Sequence, residues 1–216
     1  MVRLCLFEAG DDLHLVMHLA ARLSIPGRPD ARGSGVKSLE GNDEAKLTAA
    51  FKQEWDQLVL VLDADGPPEG GAQKTYWRVQ RAMAACRVVL PERLPPEGLA
   101  HVCPDGRRVS VWIFPDNERE GAMEEFALSG LVPADDSLLA HAASQVGMLL
   151  ANRASHTEPA ARFEPSRAAK ATLRTWLSWQ KRPGVPPGSA VVEGAFEVDG
   201  HRVARFADWL RAAFAP

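Results

Sequence analysis

The feature that most constrains the fold is a run of five aliphatic residues, Leu58 to Leu62, which ends abruptly at Asp63. Every position in the run is apolar, with no alternation between hydrophobic and polar side chains. Such a run is typical of a strand that is covered on both faces, as in a parallel sheet between two layers of helices. The chain of 216 residues is long enough to build a core of that kind.

The N-terminal segment predicts a strand followed by a helix. Residues Val2–Phe7 are mainly apolar and form the first predicted strand. Asp11 or Asp12 is a suitable N-cap for the next helix, whose apolar residues recur at helical spacing until near Pro26. This strand and helix place the first acidic residues of the chain just beyond a strand end.

Strand and helix patterns continue to alternate along the chain. A second helix is expected to begin at Asn42 or Asp43, and a third helix to extend from about Gln73 to Ala85. Two further strands, Leu99–Cys103 and Val109–Phe114, are joined by a short turn and predict a β-hairpin. The alternation predicts an α/β fold with a mostly parallel sheet flanked by helices.

The second half of the chain is predominantly helical in pattern. We predict an α/β core over residues 1–130 and a helical C-terminal extension over residues 131–216 that packs on it. Helical patterns in the extension cover Leu138–Leu150, Ala168–Gln180 and Val203–Phe214, with a Pro/Gly-rich link before the last helix.

Charge and cysteine content exclude several classes of protein. The net charge of −3 provides no general attraction to nucleic acid, so any nucleic-acid surface must be local or come from a partner. The first apolar segment is too short for a signal peptide or a membrane span. The three cysteines have no paired spacing, which argues against a structural zinc site and predicts reduced thiols in the cytoplasm.

Acidic residues occur where the predicted strands end. Glu8 follows the first strand, and Asp63 and Asp65 follow the most apolar one. Asp116 follows the second strand of the hairpin, and Glu124 lies in the first turn of the next helix. Because ligands of open parallel sheets bind at the carboxyl ends of the strands, these carboxylates are candidates for one shared site.

The pair Asp63 and Asp65 suggests a hard divalent cation. On an extended backbone, two residues separated by one position face the same side. Two adjacent carboxylates repel each other, and a cation such as Mg²⁺ removes that repulsion while it keeps positions for water or phosphate. The competing interpretation is local: aspartates after strands are common in turns, and the sequence Asp-Gly-Pro-Pro that begins at Asp65 is typical of a turn.

The order of these motifs resembles the Toprim signature. Its first part is Glu8 with Asp12 in the sequence Glu-Ala-Gly-Asp-Asp, and its second part is Asp63-Ala64-Asp65 after an apolar strand. The Toprim fold is shared by topoisomerases, bacterial primases, recombination proteins and the OLD (overcoming lysogenization defect) nucleases. The chain departs from the usual pattern at Ala9, where glycine is expected.

A closer resemblance is to small Toprim-like bacterial proteins of unknown function that are related to the OLD nucleases. It is carried by Pro115-Asp116-Asn117, by Gly121-Ala122-Met123-Glu124 and by the C-terminal segments Lys170–Gly184 and Ala207–Leu210. The resemblance therefore extends over nearly the whole chain.

The resemblance implies a site that binds Mg²⁺ or Mn²⁺. Glu8 would act as general acid/base or as a metal ligand, and Asp63 and Asp65 would be catalytic metal ligands. Asp116 and Glu124 would hold a second metal or position a water molecule. The complete set of implied metal ligands is Glu8, Asp12, Asp63, Asp65, Asp116 and Glu124.

Together these expectations predict that the protein is a metal-dependent nuclease that acts on DNA or RNA phosphodiesters. The resemblance also implies a partner ATPase and a role in anti-phage defence, and a homo-oligomer is a candidate assembly. Two alternatives remain open: a catalytically silent binding or regulatory module of a larger complex, and nucleotidyl transfer as in primases. The best local surface for a phosphate backbone or a partner is formed by basic residues of the C-terminal part: Arg162, Arg167, Lys170, Arg174, Lys181 and Arg182.

Overall fold

The structure is a computed structural model of the chain. It describes residues 2–28, 30, 32–33, 35–64, 70–155 and 159–215. Within these ranges the strands are β1 (Arg3–Phe7), β2 (Val36–Ser38), β3 (Gln57–Asp63), β4 (Leu99–Val102) and β5 (Arg108–Phe114).

Helices occupy about half of the remaining described chain. The α-helices are α1 (Gly10–Arg22), α2 (Glu44–Phe51), α3 (Ala72–Ala85), α4 (Met123–Phe126), α5 (Ser137–Ala151), α6 (Ala168–Ser178), α7 (Pro187–Val192) and α8 (Ala204–Phe214). A π-helical segment, Ala127–Leu131, continues α4. None of the helices in the described ranges has the length and apolarity needed to cross a bilayer.

The five strands form one sheet in the order β2-β1-β3-β5-β4. All neighbouring pairs are parallel except β4 with β5, which is the predicted hairpin. In the register of the central strands, Phe7 lies opposite Val61 and Asp63 lies opposite Phe114. The predicted α/β class, with a mostly parallel sheet and a helical C-terminal region, is confirmed.

The aliphatic run in β3 is buried on both faces of the sheet, as its continuous apolarity predicts. Val59 and Val61 pack on one face with α1 and the C-terminal helices. Leu58, Leu60 and Leu62 pack on the other face against residues of α2 and α3. All five side chains are fully buried, so a polar residue at any of these positions would lose its hydration without compensation.

The C-terminal helices complete the core on the α1 face. The indole nitrogen of Trp209 in α8 donates to the carbonyl oxygen of Leu99 at 3.0 Å. The ring of Phe206 packs edge to face on Trp112 of β5, with 5.0 Å between ring centroids. Residues beyond position 131 therefore share one hydrophobic core with the sheet.

The last described residues are hydrogen-bonded to the start of the sheet. The side-chain amide of Gln57 donates to the carbonyl oxygen of Ala213 at 2.7 Å. Arg108 donates to the carbonyl oxygen of Ala215 at 3.0 Å, and Arg3 donates to that of Phe214 at 3.5 Å. The beginnings of β1, β3 and β5 are thus joined to the end of α8.

The helix caps agree with the sequence prediction in one of two cases. Asp43 caps α2 by accepting from the backbone N–H of Lys46 at 3.0 Å. For α1 the prediction of Asp11 or Asp12 as N-cap is wrong, because Ala9 holds that position. The carboxylate of Asp12 instead accepts from the backbone N–H of Ala9 at 2.9 Å from within the first turn.

The Pro/Gly-rich link before α8 contains a short helix, α7, which the sequence did not predict. It crosses α1 at very close range: a Cβ atom added at Gly188 would lie 2.9 Å from the Cβ of His14. Glycine at this position therefore permits the contact between the two helices, and a larger residue would separate them.

Candidate functional site

Four carboxylate residues gather at the carboxyl end of the central strands. Glu8 directly follows β1, and Asp63 is the last residue of β3. Asp12 lies in the first turn of α1, and Glu124 lies in the first turn of α4. We refer to Glu8, Asp12, Asp63 and Glu124 as the acidic cluster.

The carboxylate of Glu8 is held by two donors from neighbouring segments. Its Oε2 atom accepts from the backbone N–H of Asp63 at 2.9 Å and from the side-chain amide of Asn42 at 2.8 Å. The same amide also lies 3.5 Å from the carbonyl oxygen of Asp63. Glu8 therefore bridges the ends of β1 and β3 and has a defined orientation.

Asn42 is itself fixed by an arginine. Its Oδ1 atom accepts from Arg78 of α3 at 2.6 Å, which leaves its NH₂ group directed at Glu8. Arg78 also donates to the hydroxyl of the fully buried Thr75 at 2.8 Å. Sequence reasoning considered Asn42 only as a helix cap and did not identify Arg78. The sequence feature that indicates a role for Asn42 at the site is its position, since it is a polar residue soon after the short strand β2.

Burial is the main influence on the pKa of Asp12. The side chain is 3% exposed, and this burial raises its pKa, as do the negative charges of Glu8, Glu124 and Asp11. The hydrogen bond from Ala9 acts in the opposite direction, and the net result is a pKa of about 7. Asp12 is therefore a carboxyl group that exchanges its proton near neutral pH.

Asp63 is in a similar environment. Its Oδ1 atom accepts from the backbone N–H of Met123 at 3.0 Å, which joins the end of β3 to the start of α4. Burial raises its pKa well above the ordinary value, and the charges of Asp12, Glu8 and Glu124 raise it further. The mutual repulsion shows that the members of the acidic cluster share one electrostatic environment.

A lysine from the C-terminal region contacts the acidic cluster. Lys170 of α6 lies 3.0 Å from Oε1 of Glu124, whose side chain is 9% exposed. Nearby on the same helix, Arg174 pairs with Asp11 of α1. These two residues belong to the basic surface predicted for nucleic acid or a partner, and the structure places them beside the acidic cluster.

Asp116 is engaged in a different set of contacts. Its carboxylate accepts from the side chain of Arg119 at 2.5 Å and from the backbone N–H groups of Glu118 and Arg119. Partial burial acts to raise its pKa, but these hydrogen bonds outweigh it and lower the pKa.

Asp65, another predicted ligand, lies outside the described residues.

Asn117, which follows Asp116, is buried and maintains the backbone. Its side chain accepts from the backbone N–H of Ile113 at 2.7 Å and donates to the carbonyl oxygen of Pro96 at 3.1 Å. The Pro-Asp-Asn motif therefore forms the turn after β5, with Asn117 at its centre. A residue without the side-chain amide would leave the N–H of Ile113 without this acceptor.

The chemistry of the acidic cluster fits a hard divalent cation. It offers carboxylate oxygens, which Mg²⁺ and Mn²⁺ prefer. Burial first, and then the charges of neighbouring carboxylates, raise the pKa values of Asp12 and Asp63, and a bound cation would offset both effects. In the described ranges, no three Asp, Glu, His or Cys side chains are positioned so that together they could hold a metal ion. A bound cation would thus need water, substrate oxygens or a rearranged carboxylate as additional ligands.

Fold and site together define an α/β protein with an acidic cluster at the carboxyl edge of a mostly parallel sheet. The chain matches the family model described as "Protein of unknown function (DUF3226)" over residues 2–215, and it belongs to that family. No curated protein and no solved structure matches the chain significantly.

Proposed function

We propose that this protein is a Toprim-type, Mg²⁺- or Mn²⁺-dependent nuclease-like enzyme that hydrolyses DNA or RNA phosphodiesters. The proposal is carried by one observation: the carboxyl groups of the acidic cluster lie near enough to influence one another at the carboxyl end of β1 and β3, where burial and their like charges raise the pKa values of Asp12 and Asp63. A cation would offset the cost of ionising these buried carboxyl groups together, and parallel sheets bind ligands at this edge.

In this proposal Glu8, Asp12 and Asp63 hold the metal together with Asp65, and Glu124 stands beside them. A divalent metal ion bound there would neutralise charge on the phosphate and lower the pKa of a bound water. The contacts of Asn42 and of the Asp63 backbone N–H fix the orientation of Glu8. We leave Asp116 outside the proposed metal set, because its carboxylate is already bound by Arg119 and the turn.

The proposed substrate needs positive charge close to the site, because the chain as a whole is acidic. Lys170 is 46% exposed at its side chain and lies next to Glu124. We propose that Lys170 and the neighbouring Arg174 contact the phosphate backbone, with further basic surface supplied by a partner such as an ATPase. The free thiols of Cys5, Cys86 and Cys103 fit the reducing conditions of the cytoplasm.

The test is a cleavage assay on mixed DNA and RNA at low salt, with Mg²⁺ and with Mn²⁺. Glu8→Gln and Asp63→Asn should each abolish cleavage, because they remove negative charge from the proposed metal site while they preserve shape. Their affinity for nucleic acid should change little, because affinity comes mainly from basic residues. Asp208→Asn is the matched control, since Asp208 is an exposed aspartate of α8, and it should cleave like wild type.

The competing proposal is a binding or regulatory module without catalysis. It is favoured by one observation, that the described carboxylates do not form a complete ligand set as placed. Under this proposal wild-type protein would cleave nothing with either metal, alone or together with the product of a neighbouring gene. A stable complex with that product in the absence of any cleavage would refute the nuclease proposal.

A further inference from the structure

Helix α3 is a locally basic element in a chain that is acidic as a whole. Its 14 residues include Lys74, Arg78 and Arg81 and no aspartate or glutamate, whereas the net charge of the chain is −3. Buried side chains, such as the fully buried Tyr76, hold one side of the helix against the sheet. Lys74, Trp77 and Arg81 lie on the opposite side, which is exposed, and we refer to them as the basic face of α3.

The indole ring of Trp77 is left open to solvent by the fold. Four of the six tryptophans are at most 4% exposed, whereas Trp77 is 48% exposed. Among the residues that the structure describes, no other aromatic ring and no cation packs on the ring of Trp77. A ligand that covers this ring would supply the apolar contact that the fold does not provide.

Positive side chains flank Trp77 on the helix surface. Lys74 and Arg81 lie one helical turn before and one turn after it, so their Cβ atoms are about 5–6 Å from that of Trp77. The side chain of Arg81 is 58% exposed and pairs with Glu44 of α2 at 2.7 Å. An exposed pair of this kind contributes little stability, and a guanidinium has five N–H donors, so Arg81 can also bind a phosphate.

The basic face of α3 lies close to the acidic cluster. Arg78, the residue after Trp77, donates to Asn42 at 2.6 Å, and Asn42 in turn donates to Glu8 at 2.8 Å. Helix α3 packs on one face of the sheet, and α6, which carries Lys170, packs on the other. The acidic cluster at the carboxyl edge therefore has a basic helix next to it on each face of the sheet.

We propose that the basic face of α3 binds single-stranded nucleic acid, with an unpaired base stacked on Trp77 and adjacent phosphates contacted by Lys74 and Arg81. Stacking requires only the open face of the indole, and every base has a face that can stack on it. The bases of a duplex are already stacked on one another, so this surface fits a single strand. The choice of nucleic acid as the ligand rests on the proposed function, and a strand bound on α3 would extend towards the acidic cluster.

The test measures binding in EDTA, so that no cleavage is required. The probes are fluorescent deoxythymidine and uridine oligonucleotides of about 12 nucleotides, followed by anisotropy at low salt. Trp77→Ala should weaken the binding of at least one probe by about tenfold or more, because stacking on one base has an effect of that size. Trp77→Phe should retain most of the affinity. Trp179→Ala is the matched control and should bind like wild type, since Trp179 is 39% exposed but its ring already packs on His141.

Two further comparisons separate stacking from charge. An oligonucleotide with stable abasic residues in place of the bases keeps every phosphate, so wild type and Trp77→Ala should bind it equally. Lys74→Gln and Arg81→Gln should each reduce the slope of log Kd against log salt concentration by about 0.7, because each removes one phosphate contact of a single strand. Trp77→Ala should leave that slope unchanged. Circular dichroism and thermal unfolding verify that each variant is folded.

Three results would overturn the α3 proposal. The first is wild-type protein that binds neither probe. The second is Trp77→Ala protein that binds both probes as tightly as wild type; if it also loses a complex with the product of a neighbouring gene, the surface belongs to a protein partner. The third is an equal loss of affinity for the abasic oligonucleotide, which would exclude base stacking.

These results are distinct from a failure of the proposed function. A protein that binds a single strand through Trp77 but cleaves nothing with Mg²⁺ or Mn²⁺ contradicts the nuclease proposal alone. Cleavage by wild type together with unchanged oligonucleotide binding by Trp77→Ala contradicts the α3 proposal alone.

Discussion

The stability of the metal-free protein should depend on pH through Asp12. Its pKa is about 7 in the folded protein, against an ordinary value of 3.8 for an aspartate. A raised carboxyl pKa means that the folded state binds the proton more tightly, so the stabilisation is complete below about pH 4 and is lost as the pH rises through 7. Between the two pKa values the free energy of unfolding falls by about 1.4 kcal/mol per pH unit, so it should fall by about 2.5 kcal/mol between pH 5 and pH 8.

Asp12→Asn should remove the part of the pH dependence that comes from Asp12, while Asp63, whose pKa burial also raises, keeps its own contribution. The amide cannot ionise, and its oxygen can still accept from the backbone N–H of Ala9. The substitution also removes one of the charges that raise the pKa of Asp63. For a chain of this size the difference corresponds to about 5–10 °C in Tm, so the variant should melt at a higher temperature than wild type at pH 8.

The assay is thermal and urea unfolding in EDTA at pH 5 and pH 8, followed by circular dichroism. His18 contributes a slope of the opposite sign, because burial first, and then the charge of His14, lower its pKa. The comparison of wild type with Asp12→Asn cancels that contribution, and Asp208→Asn controls for loss of an exposed carboxylate. Parallel pH profiles for wild type and Asp12→Asn would refute the assignment of the raised pKa.

Three further outcomes are expected from the same fold and site. In the unfolding assay, Mn²⁺ should raise the Tm of wild type more at pH 8 than at pH 5, and Glu8→Gln should remove that increase. Asn42→Ala should lower cleavage by about tenfold or more at unchanged secondary structure, because residues that orient metal ligands have effects of that size. Gly98→Ala should lower the free energy of unfolding by about 1–3 kcal/mol, measured in urea, since its φ is +85° and the new Cβ would lie 2.5 Å from Trp209.

The features that sequence reasoning predicted are those with a local signature. The aliphatic run of β3 predicts a strand covered on both faces, and the structure buries it between α1 on one side and α2 with α3 on the other. The positions of Glu8 and Asp63 follow from the same geometry, because parallel strands end at one edge of the sheet. The position of each acid directly after a parallel strand therefore predicts that these two residues share one edge of the sheet.

The features that sequence reasoning missed depend on tertiary contacts. Asn42 contacts Glu8 across 34 positions of the chain, and Lys170 reaches Glu124 from a helix of the C-terminal region. No local pattern specifies either contact. Helix α7 has only six residues and begins with proline and glycine, so it is too short for periodicity to reveal. Its position follows from the close approach of Gly188 to α1.

The hydrogen bonds between the last described residues and the strand beginnings have a consequence for the order of events during synthesis. Arg3 and Phe214 are separated by 211 positions, yet they are joined in the folded protein. While the ribosome is still adding α8, the β5 side chains Trp112 and Phe114 lack Phe206, the ring that packs on both. The nascent chain therefore exposes an aromatic surface until α8 has emerged, and that interval is when a chaperone would have its greatest effect on yield.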